Sequence, residues 1–282
     1  MSESAVDHHD PSAQPEPVSQ PEPTVAAFLD LAERYLPRVE TLVELGARDC
    51  VETEAFSKRL PRASIYAFEC NAQTLPVCRE RAASLPNVVL VEKAASDHDG
   101  VVSFFPIDVE RTTTTWADGN PGASSMFQAS GKYPVEDYVQ HEIEVPSITL
   151  STFMKSSELT TIDLLWMDIQ GAELMALKGL GGKLSQVKLI HTEVEFFEIY
   201  RGAPLFVAVK RYLNQHGFLL VGFTNFGLFS GDAVFVNKSV VSGRKRLKAL
   251  ISNALAYPGE RLLARAGRAS GRVRRLIGQF KR

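Results

Sequence analysis

The stretch Thr41-Leu42-Val43-Glu44-Leu45-Gly46-Ala47-Arg48-Asp49 decides how the whole chain is read. A short apolar run carrying one acid stops at Gly46, and a helical pattern follows over residues 51–60. This is how the first strand of an open α/β sheet passes into its first helix. In such sheets ligands bind beyond the carboxyl ends of the strands. Gly46 has no Cβ, so the backbone can turn sharply there and a ligand can come close. Glu44 lies beside that mouth, where a carboxylate attracts a cation or accepts hydrogen bonds.

The second half of the site comes about twenty residues later. Ser64-Ile65-Tyr66-Ala67-Phe68-Glu69 reads as a second apolar strand ending in an acid. An acid there commonly accepts the two hydroxyls of a bound ribose. The pair Glu44 and Glu69 points to an adenosine-containing ligand without saying which one. Asn71 fits a helix cap as well as it fits a ligand contact.

The rest of the chain supports an α/β reading. Val25 to Leu36 is expected to be a helix capped by Thr24 and stopped by Pro37. Further helices are expected at 74–85, with Pro76 in the first turn, at 171–180, and from Pro204 onward. Strands are expected at 88–91, 101–105, 143–145, 162–167 and 187–194. Phe218–Phe223 and Ala233–Val236 read as a closing hairpin around residues 225–232. The alternation argues a mostly parallel sheet flanked by helices. Residues 108–141 show little periodicity, and a loop of that length in a compact domain is usually functional, often a lid.

The 282 residues are 45% apolar and 23% charged, an ordinary globular composition. The formal charge of −2 hides an asymmetry. Residues 1–24 carry five acids, five prolines and no Lys or Arg, the composition of a disordered arm. Residues 25–238 form the domain. Residues 239–282 form a basic amphipathic tail, with twelve Lys or Arg and one acid, Glu260, in the span 244–282. There Leu247, Leu250, Ile251 and Leu255, then Val273, Leu276, Ile277 and Phe280, recur at helical spacing. That pattern suits an anionic membrane surface. Cys50, Cys70 and Cys78 give no metal spacing and no disulfide framework, so a reducing compartment is expected. The acidic N-terminus lacks the apolar core of a secretory signal, and no apolar run reaches membrane-spanning length. The expected location is cytoplasmic, with peripheral contact at the inner membrane surface.

Asp168 ends the apolar run Ile162-Asp163-Leu164-Leu165-Trp166-Met167, at the ligand edge of the sheet. It is the first candidate for a general base, and Glu193 is the second. An acid as embedded as Glu193 needs a partner in any case. Glu173 reads as first-turn helix charge, His191 as a core histidine, and Tyr200 and Arg201 as packing residues near an acceptor site.

The set Glu44-Leu45-Gly46-Ala47, Phe68-Glu69-Cys70-Asn71, Ser124-Ser125, Thr149-Leu150, Met167-Asp168-Ile169-Gln170-Gly171-Ala172-Glu173 and Glu193 resembles the FkbM family of S-adenosylmethionine-dependent methyltransferases. The likeness runs over roughly residues 39–237, and the Asp-x-x-Gly-Ala-Glu segment is its most specific piece. It implies a Rossmann-like, seven-stranded class I methyltransferase fold and methyl transfer to oxygen, on a sugar, glycan, glycolipid or natural product. It also implies S-adenosylmethionine held by Glu44, Gly46, Ala47, Arg48, Glu69, Cys70, Asn71, Ala94, Ala95 and Asp168. The chain departs from the family pattern at five places. Cys50 stands for a usual Gly, Cys70 for Pro, Ser151 for Asp, Trp166 for Lys and Gln170 for Glu.

Two other readings compete. A nicotinamide dehydrogenase also uses an acid after strand two, but it needs Gly-x-Gly-x-x-Gly where this chain has only Gly46. A non-catalytic binding protein on the same scaffold, acting through its basic tail, is the other. The expected partners are a small-molecule or glycan acceptor and the membrane surface, with no specific nucleic acid. No resident metal is expected, since no compact ligand motif is present.

Overall fold

The computed structural model describes residues 23–251 and 253. The main sheet contains β1 (Thr41–Leu45), β2 (Ser64–Phe68), β3 (Val88–Val91), β7 (Ile162–Met167), β8 (Val187–Glu195), β9 (Phe218–Phe226) and β10 (Ser230–Asn237). Its order is β3-β2-β1-β7-β8-β10-β9. The first five of these run parallel, and β10 pairs antiparallel with both β8 and β9. The chain therefore winds outward from β1 to β3 and returns to lay β7 on the other side of β1. The crevice at that reversal is where such sheets take ligands.

Strand parity sorts the core. Val43, Leu45, Leu165, Met167 and Ile190 face α4 (Leu150–Ser156), α5 (Glu173–Gly179) and α6 (Phe206–Gln215). Leu42, Ile65, Leu164, Trp166 and Leu189 face α1 (Pro23–Glu33) and α2 (Val51–Arg59). Each fully buried apolar side chain contributes about 1.5–3 kcal/mol, and the two faces together specify register, since a one-residue slip would exchange them.

A second sheet, β4-β6-β5, is built from β4 (Ala94–Ser96), β5 (Gly100–Phe104) and β6 (Ile143–Thr149). It joins three stretches that the sequence treats separately. Helix α3 (Leu75–Ala83) carries Pro76 in its first turn as expected.

Several boundaries differ from expectation. Helix α1 already includes Pro23 and Thr24, so Thr24 is not its cap and the proposed arm is helical at its end; residues 1–22 lie outside the described residues. Pro204 precedes α6, whose N-cap is Leu205. Strands β9 and β10 extend to a much tighter connection than residues 225–232. Cys50 and Cys78 form a disulfide, with Cα atoms 5.2 Å apart, contrary to the expectation of free thiols. Their separation of 28 residues carries no signal, because only the packing of α2 and α3 behind the sheet brings them together.

The base of the central strands is fixed by one acid. Asp163, 3% exposed, accepts from the Glu40 and Thr41 amides (2.6 and 3.1 Å) and pairs with Lys188 (2.6 Å). Asp163→Ala strands two donors where β1 enters the sheet. The expected loss is about 2–4 kcal/mol of stability, read as a lower urea midpoint; an unchanged midpoint would contradict it.

Residues 243–251 are helical and dock on the domain. Ala249 is buried, Lys245 donates to the Arg34 carbonyl, and Asn253 accepts from the edge-strand amide of Leu220 (3.1 Å). The remainder of the proposed tail helix, including Leu255 and the residues after it, lies outside the described residues.

Candidate functional site

At the carboxyl ends of β1 and β2 the backbone turns through a series of left-handed residues. Gly46 has φ +86°, and a Cβ there would run into the carbonyl oxygen of Asp168. The amides of Gly46 and Ala47 both donate to the Phe68 carbonyl (3.0 and 2.9 Å). Arg48 and Cys50 also have positive φ, +51° and +61°. For non-glycine residues that conformation stores about 1–3 kcal/mol each and clusters at functional sites. Position 50 thus has the backbone that glycine takes most easily, and here the disulfide to Cys78 holds it.

A cleft opens beside this turn. Of the residues named from sequence, Gly46, Arg48, Glu69, Cys70, Asn71, Ala94, Ala95 and Asp168 line it. Ala47 and Glu44 do not. Ala47 is packed behind the turn with Cys50, Ala67 and Cys78. Glu44 is fully buried and accepts from the Thr53 hydroxyl (2.6 Å), with its second oxygen unpartnered. Burial pushes its carboxyl well above the usual range. The structure therefore places Glu44 as a buried neighbour of α2.

Glu69 is the organiser of the cleft. Its Oε1 accepts from the Cys70 and Asn71 amides (2.8 and 2.6 Å), and its Oε2 accepts from the Arg48 amide (2.7 Å). A carboxylate offers about four acceptor positions, so capacity on Oε2 remains for a ligand hydroxyl. Burial raises its pKa, opposed by these three amide bonds. Asn71 is not the cap of α3, which is Thr74, but it lines the cleft and braces the turn before that helix. Its Oδ1 accepts from the Gln73 amide before α3, and its Nδ2 reaches Ser124 (3.2 Å) at the cleft wall.

The long loop forms the opposite wall. Pro121, Gly122, Ser124 and Met126 line the cleft, joined by Phe104 of β5. Arg48 pins the loop through an ion pair with Asp118 and a position 5.2 Å from the centre of the Trp116 ring. The sequence shows an aperiodic segment here, and of these wall residues only Ser124 stood out, through the family resemblance.

Beyond the end of β7 lies a polar cluster. Gln170 Nε2 donates to Asp168 Oδ1 (2.6 Å) and to Glu193 Oε2 (2.8 Å). Gln170 Oε1 accepts from Tyr200 (2.8 Å), whose hydroxyl also reaches the Ala123 carbonyl (2.7 Å). Ser125 donates to the Gln170 carbonyl (2.6 Å). Glu173 folds back to accept from the Ile169 and Gly171 amides (3.0 and 3.4 Å), and burial lifts its carboxyl to about 7. Glu195 is buried, and burial together with the charge of Glu173 lifts it to about 8, opposed by the Ile199 and Tyr200 amides. Asp168 opens to the cleft and Glu193 is half-buried; desolvation by the surrounding walls raises both carboxyls, and the charge of Asp168 raises Glu193 further. Tyr200 is buried, as a packing residue would be, but it belongs to this cluster; Arg201 points to solvent.

Two residues named from sequence stand apart. His191 stacks on Trp166 at 3.6 Å and bonds to Thr224 (2.8 Å), and burial lowers its pKa to about 3, so it is neutral. Trp166 packs with Phe28 and Phe56 on the face away from the cleft. Among the described residues no group of three or more His, Cys, Asp or Glu is arranged to hold a metal ion.

The strand order, the reversal between β1 and β7 and the antiparallel β10 define a class I methyltransferase fold. The methyltransferase FkbM domain matches residues 44–220, more than half of the chain, and the protein belongs to that family. It is 28% identical over 163 residues to the 2-O-methyltransferase NoeI of Sinorhizobium fredii, a match spanning 57% of this chain and 65% of that protein. Among solved structures, TrmK of M. capricolum in complex with S-adenosyl-homocysteine aligns at TM-score 0.42 and 9% identity, over 77% of this chain and 70% of that one. The N-terminal domain of EvdMO1 with the same product bound aligns at TM-score 0.41 and 13% identity, over 77% and 81%. The strand order, not these similarities, defines the fold.

Proposed function

We propose that the protein is an S-adenosylmethionine-dependent O-methyltransferase acting on a hydroxyl of a sugar, glycan, glycolipid or natural product. The observation that carries this reading is the double position of Asp168: it lines the cleft and is hydrogen-bonded into the carboxyl cluster. The cleft residues fit the cofactor. Glu69 has acceptor capacity for ribose, the turn at Gly46 allows close backbone approach, and buried Ala94 and Ala95 leave room for a flat ring. The name of the NoeI relative is consistent with transfer to oxygen.

When bound, S-adenosylmethionine supplies an electrophilic methyl: the acceptor oxygen takes it, sulfur keeps the bonding electron pair, and the hydroxyl proton must go elsewhere. Asp168 is placed to receive that proton. The loop wall and the turn hold the reactants in line, and alignment of this kind supplies much of the acceleration in a displacement. Half-buried Tyr133, Tyr138 and Phe229 form an aromatic group next to the cluster. They offer flat surfaces to a sugar ring.

Calorimetry with S-adenosylhomocysteine and with NAD tests the cofactor. Tight binding of the first and none of the second is the expected result, and the reverse would restore the dehydrogenase. Mass spectrometry of extracts from cells with and without the gene then seeks the methylated product. Absence of any such product in the presence of cofactor binding would favour the non-catalytic reading.

A membrane role for the tail is a second reading, favoured by one observation. Leu247, Leu250 and Ile251 are 59%, 43% and 50% exposed on the docked helix, interleaved with Arg244, Lys245, Arg246 and Lys248. No helix among the described residues is long and apolar enough to cross a membrane. Each Lys or Arg near an anionic surface contributes about 1 kcal/mol. The full chain is expected to co-sediment with anionic but not neutral vesicles, and to be released by salt. A chain ending at Ser242 should stay in solution. Equal partitioning of the two would refute the reading.

A further inference from the structure

We infer that Gln170 is a positioning residue that holds Asp168 and Glu193 as a one-proton pair, with Asp168 the ionised member facing the cleft. This rests on the proposed role of Asp168 and adds a residue to it.

The geometry of the side chain is over-determined. Its Nε2 has two hydrogens and two carboxyl partners, Asp168 Oδ1 at 2.6 Å and Glu193 Oε2 at 2.8 Å. A flipped amide would turn its oxygen toward an ionised Asp168, so Nε2 toward the acids is the orientation that supports a charge there. The Tyr200 hydroxyl lies 2.8 Å from the amide oxygen and shares its one hydrogen with the Ala123 carbonyl, and Ser125 donates to the backbone carbonyl. The residue also holds φ +53°, a conformation that is uncommon outside glycine. Strain of this kind persists where the surroundings hold the residue in place.

Both carboxyls are held by one amide at the cleft, Asp168 open to it and Glu193 half-buried, and two acids this close do not both ionise readily. The surroundings decide which one keeps the proton. Asp168 faces Arg48 across the cleft, with Glu44 and Glu173 behind it. Glu193 faces Asp168, Glu173, Asp232 and Glu195, with the phenols of Tyr133, Tyr138 and Tyr200 around it. The proton therefore belongs to Glu193. The amide bridge then supports the charge on Asp168 and fixes the distance between the two groups.

This also accounts for the departure at position 170. A glutamate there would be a third carboxyl with no hydrogen to offer in its ionised form. It could bridge only by taking up a proton, and the whole cluster would hold protons to higher pH.

The test is a carboxyl 13C NMR titration of the full chain labelled at Asp and Glu side-chain carboxyls, from pH 4 to 9. It is run with and without S-adenosylhomocysteine. Asp168→Asn and Glu193→Gln assign the two signals. In the wild type one signal, Asp168, titrates well below the other, Glu193. In Gln170→Glu the Asp168 titration moves up by about one unit or more. In Tyr200→Phe, which frees the amide to turn, it moves in the same direction by less. Two signals titrating together in the wild type, or an Asp168 titration unmoved by Gln170→Glu, would overturn the inference. Failure of S-adenosylhomocysteine to bind would defeat the proposed function instead, and the ligand-free titration would still decide the role of Gln170. If Gln170→Glu does not fold, Tyr200→Phe decides alone.

Discussion

Replacing Asp168 by Asn is expected to lower kcat by roughly 10²–10⁴, the usual range for loss of a general base. Cofactor affinity should change little. The substitution keeps the shape of the side chain and removes its charge and basicity, while the turn at Gly46 still packs on the unchanged backbone carbonyl of residue 168. The rate is read with the acceptor found by mass spectrometry, and affinity by calorimetry with S-adenosylhomocysteine. Because burial raises the pKa of Asp168, the wild-type rate should rise as pH increases through that raised value and level off above it. Asn at this position should flatten that rise. A variant that keeps the wild-type rate and profile would pass the role to Glu193 or to the acceptor itself.

Replacing Glu69 by Ala is expected to weaken S-adenosylhomocysteine binding by roughly a hundredfold or more. A hydrogen bond to a charged acceptor contributes about 1.5–3 kcal/mol, and each 1.4 kcal/mol is a factor of ten. The structure adds a second cause. Three amides, of Arg48, Cys70 and Asn71, lose their acceptor together, so the loop that shapes the cleft loses its brace. Glu69→Gln separates the two causes, since its remaining oxygen can keep the Cys70 and Asn71 bonds. It should fall between wild type and Ala. Equal affinity of Glu69→Ala and wild type would mean that the cofactor lies elsewhere.

Much of this was legible in the chain. Strands β1 and β7 are buried on both faces and read as short apolar runs carrying one acid each, which is how parallel central strands appear. The acids at their ends mark the ligand edge whatever the side chains do next. What periodicity does not carry is direction and closure. Glu44 and Gly46 are two residues apart, yet the carboxyl turns to Thr53 while the glycine lines the cleft. Helix α4 is only seven residues long, capped by Thr149, and too short for a helical pattern to stand out. Strand β4 is three residues long and gains its partners from β6, some fifty positions on. The wall residues 121–126 and Tyr200 are brought together by tertiary contacts such as the Tyr200–Ala123 bond, spanning 77 positions. The disulfide has the same origin.

The pairing of β1 with β7 has a consequence for how the molecule assembles. Leu45 sits opposite Met167, and the Asp163 carboxylate reaches the Glu40 amide 123 positions away. Glu69, Ala94 and Ala95 of the cleft are translated early, but β1 has no neighbour on its second side until the polypeptide has grown past residue 167. Closing so long a loop is entropically slow, and folds dominated by such pairings reach the native state in milliseconds to seconds rather than microseconds. During that interval an apolar strand edge is open to pairing with other chains. Fragments that stop before β7 should therefore aggregate rather than bind S-adenosylhomocysteine, which light scattering during expression of chains ending at residue 160 and at residue 253 would reveal.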